Sequence, residues 1–225
     1  HYAWTGSKLN LTTQQGSLRE GANATRNLVQ TSTPKEDFYI TTSLDFSPTQ
    51  QGQEAGLILR KDDDNYVSIA EGVTAQGGSA IIAVNEVNGS AQVMEFPIAM
   101  TGDIFLKIDK SGDRYTVYAS DNESAWGSPL HTFTNPMAGT DRINNGLRMG
   151  LFAQNGTGSL DEITAGFDFF HMWHTRNFMT LWVDHGVKPQ DEEYSYIQLP
   201  MKSAAETAAY SEAPQVTLLS NTKEV

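Results

Sequence analysis

The chain of 225 residues contains no cysteine. That removes the disulfide framework common in extracellular proteins of higher organisms. A cysteine-free chain rich in Thr and Asn fits a bacterial secreted protein. No run of 18 apolar residues occurs, so no helix is long enough to cross a bilayer. No signal peptide opens the chain either, and its start, HYAWTGSKLN, reads as a processed or cut N-terminus. Positive charge is scarce: 15 Lys and Arg stand against 27 Asp and Glu, a net charge of −12. Nucleic acid and anionic membranes are therefore poor partners. A polyanionic substrate is also repelled on average, so binding an acidic sugar requires a local basic site. Helix periodicity is nearly absent. No HExxH or H-x-E spacing occurs for a metal, and no GxxxxGK for a phosphate: Gly77-Gly78-Ser79-Ala80 lies between strands.

Strand patterns are what the sequence does contain. With 39% hydrophobic and 19% charged residues, the balance is that of a folded chain rather than a disordered one. KLNLTTQ alternates at Leu9 and Leu11. DFYITTSLDF sets Phe38 and Ile40 against Tyr39 and Thr41. Three hairpins follow, turning at Lys61–Asn65, at Asn88-Gly89 and at Ser111-Gly112. RMGLFAQN and AGFDFFHMW close a series of about ten strands. Regular spacing of short strands predicts a β-sandwich over residues 1–174, with alternating Leu, Ile, Val and Phe on the inner layer. Beyond His174 the pattern changes. FMTLWVDHG and YSYIQLP predict strands, SAAETAAYSEAP a short helix and VTLLSNTKEV a final strand. About 50 residues bury too little apolar surface to stand alone, so residues 175–225 are expected to pack on the sandwich or on a partner segment.

Several stretches carry a resemblance. GSLREGANATRNLVQ, FYITTSLDFSPTQQGQEAGLILRKDDDNYVSI, LKIDKSGDRYTVYASDNESAW and GLFAQNGTGSLDEITAGFDFFHM resemble the concanavalin A-like domains at the C-terminus of family 43 β-xylosidases. Such domains start with a further N-terminal segment, which again implies a cut end. The resemblance implies an all-β, concanavalin A-like jelly-roll sandwich. The tail, LWVDHGVKPQDEEYSYIQLPMKSAAETAAY with VTLLSNTKEV, resembles the β-sheet region of family 8 polysaccharide lyases, which act on xanthan, hyaluronan or chondroitin. It implies a partial antiparallel β-segment of a lyase sheet domain. In that family the catalytic Asn, His, Tyr and Arg lie mostly in an α-toroid that this sequence does not contain. The combined expectation is the accessory, carbohydrate-binding and structural part of a secreted, extracellular polysaccharide lyase. The whole enzyme would cleave an acidic polysaccharide by β-elimination, a base taking the proton α to the uronate carboxyl. The chain's partners are then the polysaccharide and the remainder of the lyase, as another segment or chain. The rivals are a spacer that binds nothing and an independent glycoside hydrolase. The latter needs a paired-carboxylate strand of the E-x-D-x-x-E kind, and DEITAGFD has the wrong character.

The constellations are weighed against plain structural roles. Asp184-His185-Gly186 looks catalytic. Adjacent strand residues point to opposite faces, so the pair reads instead as a strand-end motif in which Gly186 makes the turn. Asp62-Asp63-Asp64-Asn65 resembles half a calcium loop, but contiguous acids face apart, and a solvated turn is the simpler reading. Asp168, within the apolar strand GFDFF, is costly if buried alone. Related sandwiches hold a structural calcium with an acid at this kind of position, so Asp168 is the candidate ligand, with Asp161 and Glu162 as alternatives and a hydrogen-bonding role as rival. Sugar rings stack on aromatics through their C–H faces, which nominates Trp4, Tyr66, Tyr115, Tyr118, Trp126 and Trp173; most aromatics at alternating positions are core. Arg60 with Tyr66, across the 62–65 turn, forms a polar-plus-aromatic pair that supplies local positive charge, unless Arg60 only pairs with Asp62 or Glu71. The carbohydrate-binding candidates are therefore Arg60, Tyr66, Trp126 and Trp4. His171 and His174, three apart, do not share a strand face and mark the junction between modules.

Overall fold

Turn chemistry sets the hairpins. Strands β5 (Glu54–Asp62) and β6 (Asn65–Val73) meet at a turn where Asp62 Oδ1 accepts from the Asp64 N–H (3.1 Å) and the Asn65 amide (2.8 Å). Between β7 (Ser79–Val87) and β8 (Ser90–Pro97), Asn88 and Gly89 both take positive φ, +50° and +76°. That is the mirror-image turn that matches strand twist. The β9 (Ile104–Ser111) to β10 (Arg114–Ser120) turn is tied by Asp37, whose carboxylate accepts from Ser111 Oγ (2.7 Å) and the Gly112 N–H (2.9 Å).

The computed structural model describes residues 2–98, 102–137, 146–174 and 202–213. The remaining strands are β1 (Tyr2–Trp4), β2 (Leu9–Thr12), β3 (Asn27–Ser32), β4 (Phe38–Asp45), β11 (His131–Thr134), β12 (Arg148–Gln154) and β13 (Thr164–His174). They form two antiparallel sheets, ordered β1-β2-β13-β4-β9-β10-β11 and β3-β12-β5-β6-β7-β8. The predicted sandwich is thus present. The strands that alternation does not announce are β1, β3 and β11, all at sheet edges; an edge strand has one partner and a weaker in–out pattern.

Between the sheets lies one large core, to which Ile40, Leu44, Leu57, Leu59, Ile69, Leu106, Ile108, Tyr115, Val117 and Phe167 contribute. A second cluster covers the outer face of the six-stranded sheet. There Leu18 packs on Ile58, Tyr66, Ile82, Val84 and Phe152. Leu18 belongs to a strap, residues 14–26, laid across that sheet. Gly16 makes the strap's close approach: its φ is +142°, and a Cβ there would lie 2.2 Å from the Ala24 carbonyl oxygen, a separation no side chain tolerates. With both faces covered, β5 to β7 read as almost unbroken buried runs, as expected of strands lacking a solvent side.

The chain divides into two units, His1–Asn177 and Phe178–Val225. In the second, the described part is one helix, α1 (Ala204–Glu212), where a helix is predicted. Ser203 and Glu206 form its capping box, which satisfies two of the N–H groups left open at a helix start. The predicted strands of the tail, and Asp184-His185-Gly186 with them, lie outside the described residues.

Candidate functional site

The outer face of the seven-stranded sheet has no strap among the described residues. Its composition follows from alternation. Phe38, Ile40 and Leu44 point into the core, so Tyr39, Thr41 and Ser43 point out. Leu106 and Ile108 point in, so Lys107 and Asp109 point out. Register then assembles the face. Trp173 pairs with Tyr39, His171 with Thr41, Thr41 with Lys107 and Lys107 with Tyr118. Trp126, from the loop after β10, completes the group. The Lys107 ammonium lies over three rings, 4.4 Å from Tyr39, 4.9 Å from Tyr118 and 5.7 Å from Trp126. Such contacts fix a cation and its rings relative to one another. Asp109 stands 3.9 Å from Lys107, and burial pushes its carboxyl above the usual range against the pull of Lys107.

A bulge in β13 extends the aromatic surface. Register shifts between Phe167 and Phe170, which frees the Phe169 carbonyl, and Thr42 Oγ1 donates to it at 2.5 Å. Phe169 then stacks on His171 (4.4 Å between ring centroids) and meets Phe105 at 6.4 Å. Trp173 is 57% exposed. A ring surface this open, with a fixed cation inside it, can hold the C–H face of a sugar and a nearby negative charge.

The predicted residues divide. Trp126, Tyr118 and Trp173 stand on this face. Arg60 and Tyr66 are register partners, as the hairpin requires, but they stand on the outer face of the other sheet. Tyr66 is only 1% exposed because the strap covers it, and it hydrogen-bonds Glu86; its ring has no face open to a sugar. Arg60 is paired with Asp63, not with Asp62 or Glu71. Trp4 is 67% exposed but pairs with inward-facing Leu9 on an edge strand, so it looks away from Lys107. Tyr115 is core. Tyr39 and Lys107, the centre of the group, are missed as site residues; the alternation of their strands shows their outward direction, but which strands lie side by side is a matter of topology.

Asp168 requires a correction. It is exposed, because its neighbour Phe167 points into the core and alternation turns Asp168 outward, so the burial cost that pointed to a metal does not arise. Asp161 and Glu162 are exposed too, and the Asp161 carbonyl already accepts from Gln53 and Asn155. Among the described residues no three His, Asp or Glu side chains converge, so a calcium at Asp168 would draw on one carboxylate and backbone carbonyls. Chelation with EDTA tests the calcium: a fall of several degrees in melting temperature, reversed by added calcium, would place a metal there, and an unchanged melting temperature would remove it.

The family model for the β-xylosidase C-terminal concanavalin A-like domain matches residues 3–172. Among curated proteins, a xanthan lyase from Bacillus sp. (strain GL1) is 41% identical over 51 residues, 23% of this chain and 6% of that protein. The GH43 protein BlXynB from Bacillus licheniformis superposes with a TM-score of 0.62 at 22% identity, over 75% of this chain and 33% of its own. A xylan β-1,4-xylosidase from Bacillus halodurans C-125 gives 0.62 at 20%, covering 73% and 32%. A functionally unknown protein from Saccharomyces cerevisiae gives 0.60 at 16%, covering 79% and 93%. At these identities the solved structures share the fold. The chain spans about a third of the two GH43 proteins and a small fraction of the xanthan lyase.

Proposed function

We propose, from the premise that this chain belongs to the β-xylosidase C-terminal concanavalin A-like domain family, that it is the carbohydrate-binding accessory part of a secreted polysaccharide lyase. Its sandwich is an accessory module of carbohydrate-active enzymes. The lyase setting draws on the stretch of 51 residues that is 41% identical to a xanthan lyase and on the tail motifs around Asp184-His185-Gly186. In this reading, residues 1–174 bind the polysaccharide and residues 175–225 complete a lyase sheet whose catalytic groups belong to another segment or chain. The ligand is an acidic polysaccharide of the xanthan or hyaluronan kind.

The observation that carries the binding reading is Lys107 seated among Tyr39, Tyr118 and Trp126. The rings offer apolar area to a pyranose. The ammonium places positive charge beneath it, which a chain of net charge −12 must supply locally to hold an anion. Titration of the chain with xanthan, hyaluronan and neutral xylan tests this. Trp173→Ala and Tyr118→Ala are each expected to weaken binding about tenfold, the loss of one stacked ring. Lys107→Met should weaken the acidic polymers selectively and flatten their salt dependence. No binding to any polymer leaves a spacer module in its place.

A further inference from the structure

Tyr39 and Asp45 lie six residues apart on β4, both on the outer face, a run of about 20 Å at strand rise. At the Asp45 end the same face opens into a cavity of about 350 Å3, lined by Asn10, Asp45, Phe46, Ser47, Ile163, Thr164 and Gly166. That is small among ligand sites, which span roughly 300–1,000 Å3. Ladder register builds it: Gly166 on β13 pairs with Asn10 on β2 and with Asp45 on β4. Gly166 keeps it open. A Cβ there would lie 3.3 Å from Asn10 Oδ1, 3.2 Å from Lys8 Cδ and 3.7 Å from Asp45 Cβ.

The lining has the character of a sugar site. Phe46 and Ile163 border it, with their side chains packed in or against the core. The Asn10 amide and the Ser47 and Thr164 hydroxyls make no side-chain hydrogen bond among the described residues, so three hydrogen-bonding groups face the cavity with capacity to spare. The charge at the rim is anionic. Lys8 Nζ donates to Asp45 Oδ2 at 3.0 Å and to Asp103 Oδ2 at 3.4 Å, and the hydrogen bond to Asp45 holds its ammonium above the usual lysine value. Two carboxylates thus share one ammonium. A uronate is repelled there, whereas a carboxylate and an amide side by side accept from and donate to neighbouring sugar hydroxyls.

We propose that this cavity is a second subsite, which takes a neutral sugar unit of the same polysaccharide by its hydroxyls. The aromatic platform and the cavity then read one chain at two places, one tolerant of negative charge and one selective against it. The inference rests on the outer face being the glycan-binding face.

Calorimetric titration of the full chain with cellotetraose, xylotetraose and a hyaluronan tetrasaccharide tests it. Two variants address the cavity. Gly166→Val fills it: φ at Gly166 is not positive, and the atoms it approaches most closely are flexible side-chain ends. Asn10→Ala removes the amide without filling space. Each is expected to weaken binding of a neutral tetrasaccharide about tenfold, the loss of one or two hydrogen bonds, while cellobiose and xylobiose, short enough for the platform alone, bind as before. Tyr118→Ala should weaken both lengths. Loss in Tyr118→Ala with wild-type tetrasaccharide binding in Gly166→Val and Asn10→Ala overturns the cavity and leaves the platform. Loss in the cavity variants with none in Tyr118→Ala overturns the platform and leaves the cavity. Absence of binding by the unmodified chain overturns both.

Discussion

Replacing Glu71 with glutamine is expected to raise the stability of the sandwich by about 3 kcal/mol at pH 8 and to leave it nearly unchanged at pH 4. Glu71 lies on β6 between inward-facing Ile69 and Val73, so its side chain enters the space between the sheets. It is 7% exposed, and its Oε2 has no hydrogen-bond partner among the described residues. Burial, helped by the charge of Asp45, pushes its carboxyl up to about 7. The sign follows. A carboxyl whose folded value exceeds its unfolded value holds a proton more tightly when folded. It stabilises the fold below the unfolded value, near 4.5, and that contribution is lost as pH rises toward 7. The glutamine does not titrate, so the gain grows across this window and is constant above it. For a domain of this size 3 kcal/mol corresponds to a shift in melting temperature of about 6–12 °C. Melting the two proteins side by side from pH 4 to 8 isolates Glu71 from the other raised carboxyls. Parallel curves would show that Glu71 finds a partner or water. Asp45→Asn should move the Glu71 midpoint down, since it removes the charge that helps raise it.

Which parts of this molecule are legible in the sequence depends on range. The three hairpins are, because Asp62, Asn88-Gly89 and Gly112 act within a few residues of the strands they join. The in–out direction of Tyr39 and Lys107 is as well, because alternation is local. What is not legible is which outer face stays open. Tyr66 and Tyr39 occupy equivalent alternating positions, yet one is buried and the other faces the platform. The difference is the strap, whose sequence GSLREGANAT reads as a polar loop and gives no hint that Leu18 will cover a sheet. Asp168 is misread for a different reason: the apolar letters around it suggest burial, yet with Phe167 pointing into the core alternation alone turns Asp168 to the outer face. The platform itself depends on β13 lying beside β4, strands more than 100 residues apart, and no local pattern encodes that neighbour.

The strap yields the other large effect. Its hold on the six-stranded sheet is polar as well as apolar. Arg19 Nη2 donates to Glu54 Oε1 at 2.5 Å, Gln154 Nε2 donates to Glu54 Oε2 at 3.0 Å, and the Glu20 N–H donates to Glu86. Only 4% of the Glu54 side chain is exposed, and burial pushes its carboxyl up against the pull of Arg19. Arg19→Met therefore leaves a buried carboxylate with one amide for company, at a cost of about 3 kcal/mol, the low end for a broken buried pair because Arg19 is itself partly exposed. Adding Glu54→Gln should return most of that loss, since replacing both charges by neutral groups is often close to neutral. The single variant should also suffer more at pH 8 than at pH 5, because protonation of Glu54 removes the uncompensated charge. Denaturant titrations of the two single variants and the double variant give the coupling directly. If the double variant is as unstable as the sum of its parts, the pair does not anchor the strap. If it recovers, the strap is fastened by this pair. A loosened strap in Arg19→Met then exposes Ile58, Tyr66, Ile82 and Phe152, which dye binding would report. Glycan affinity on the opposite sheet should remain, because Lys107 and its rings share no contact with the strap.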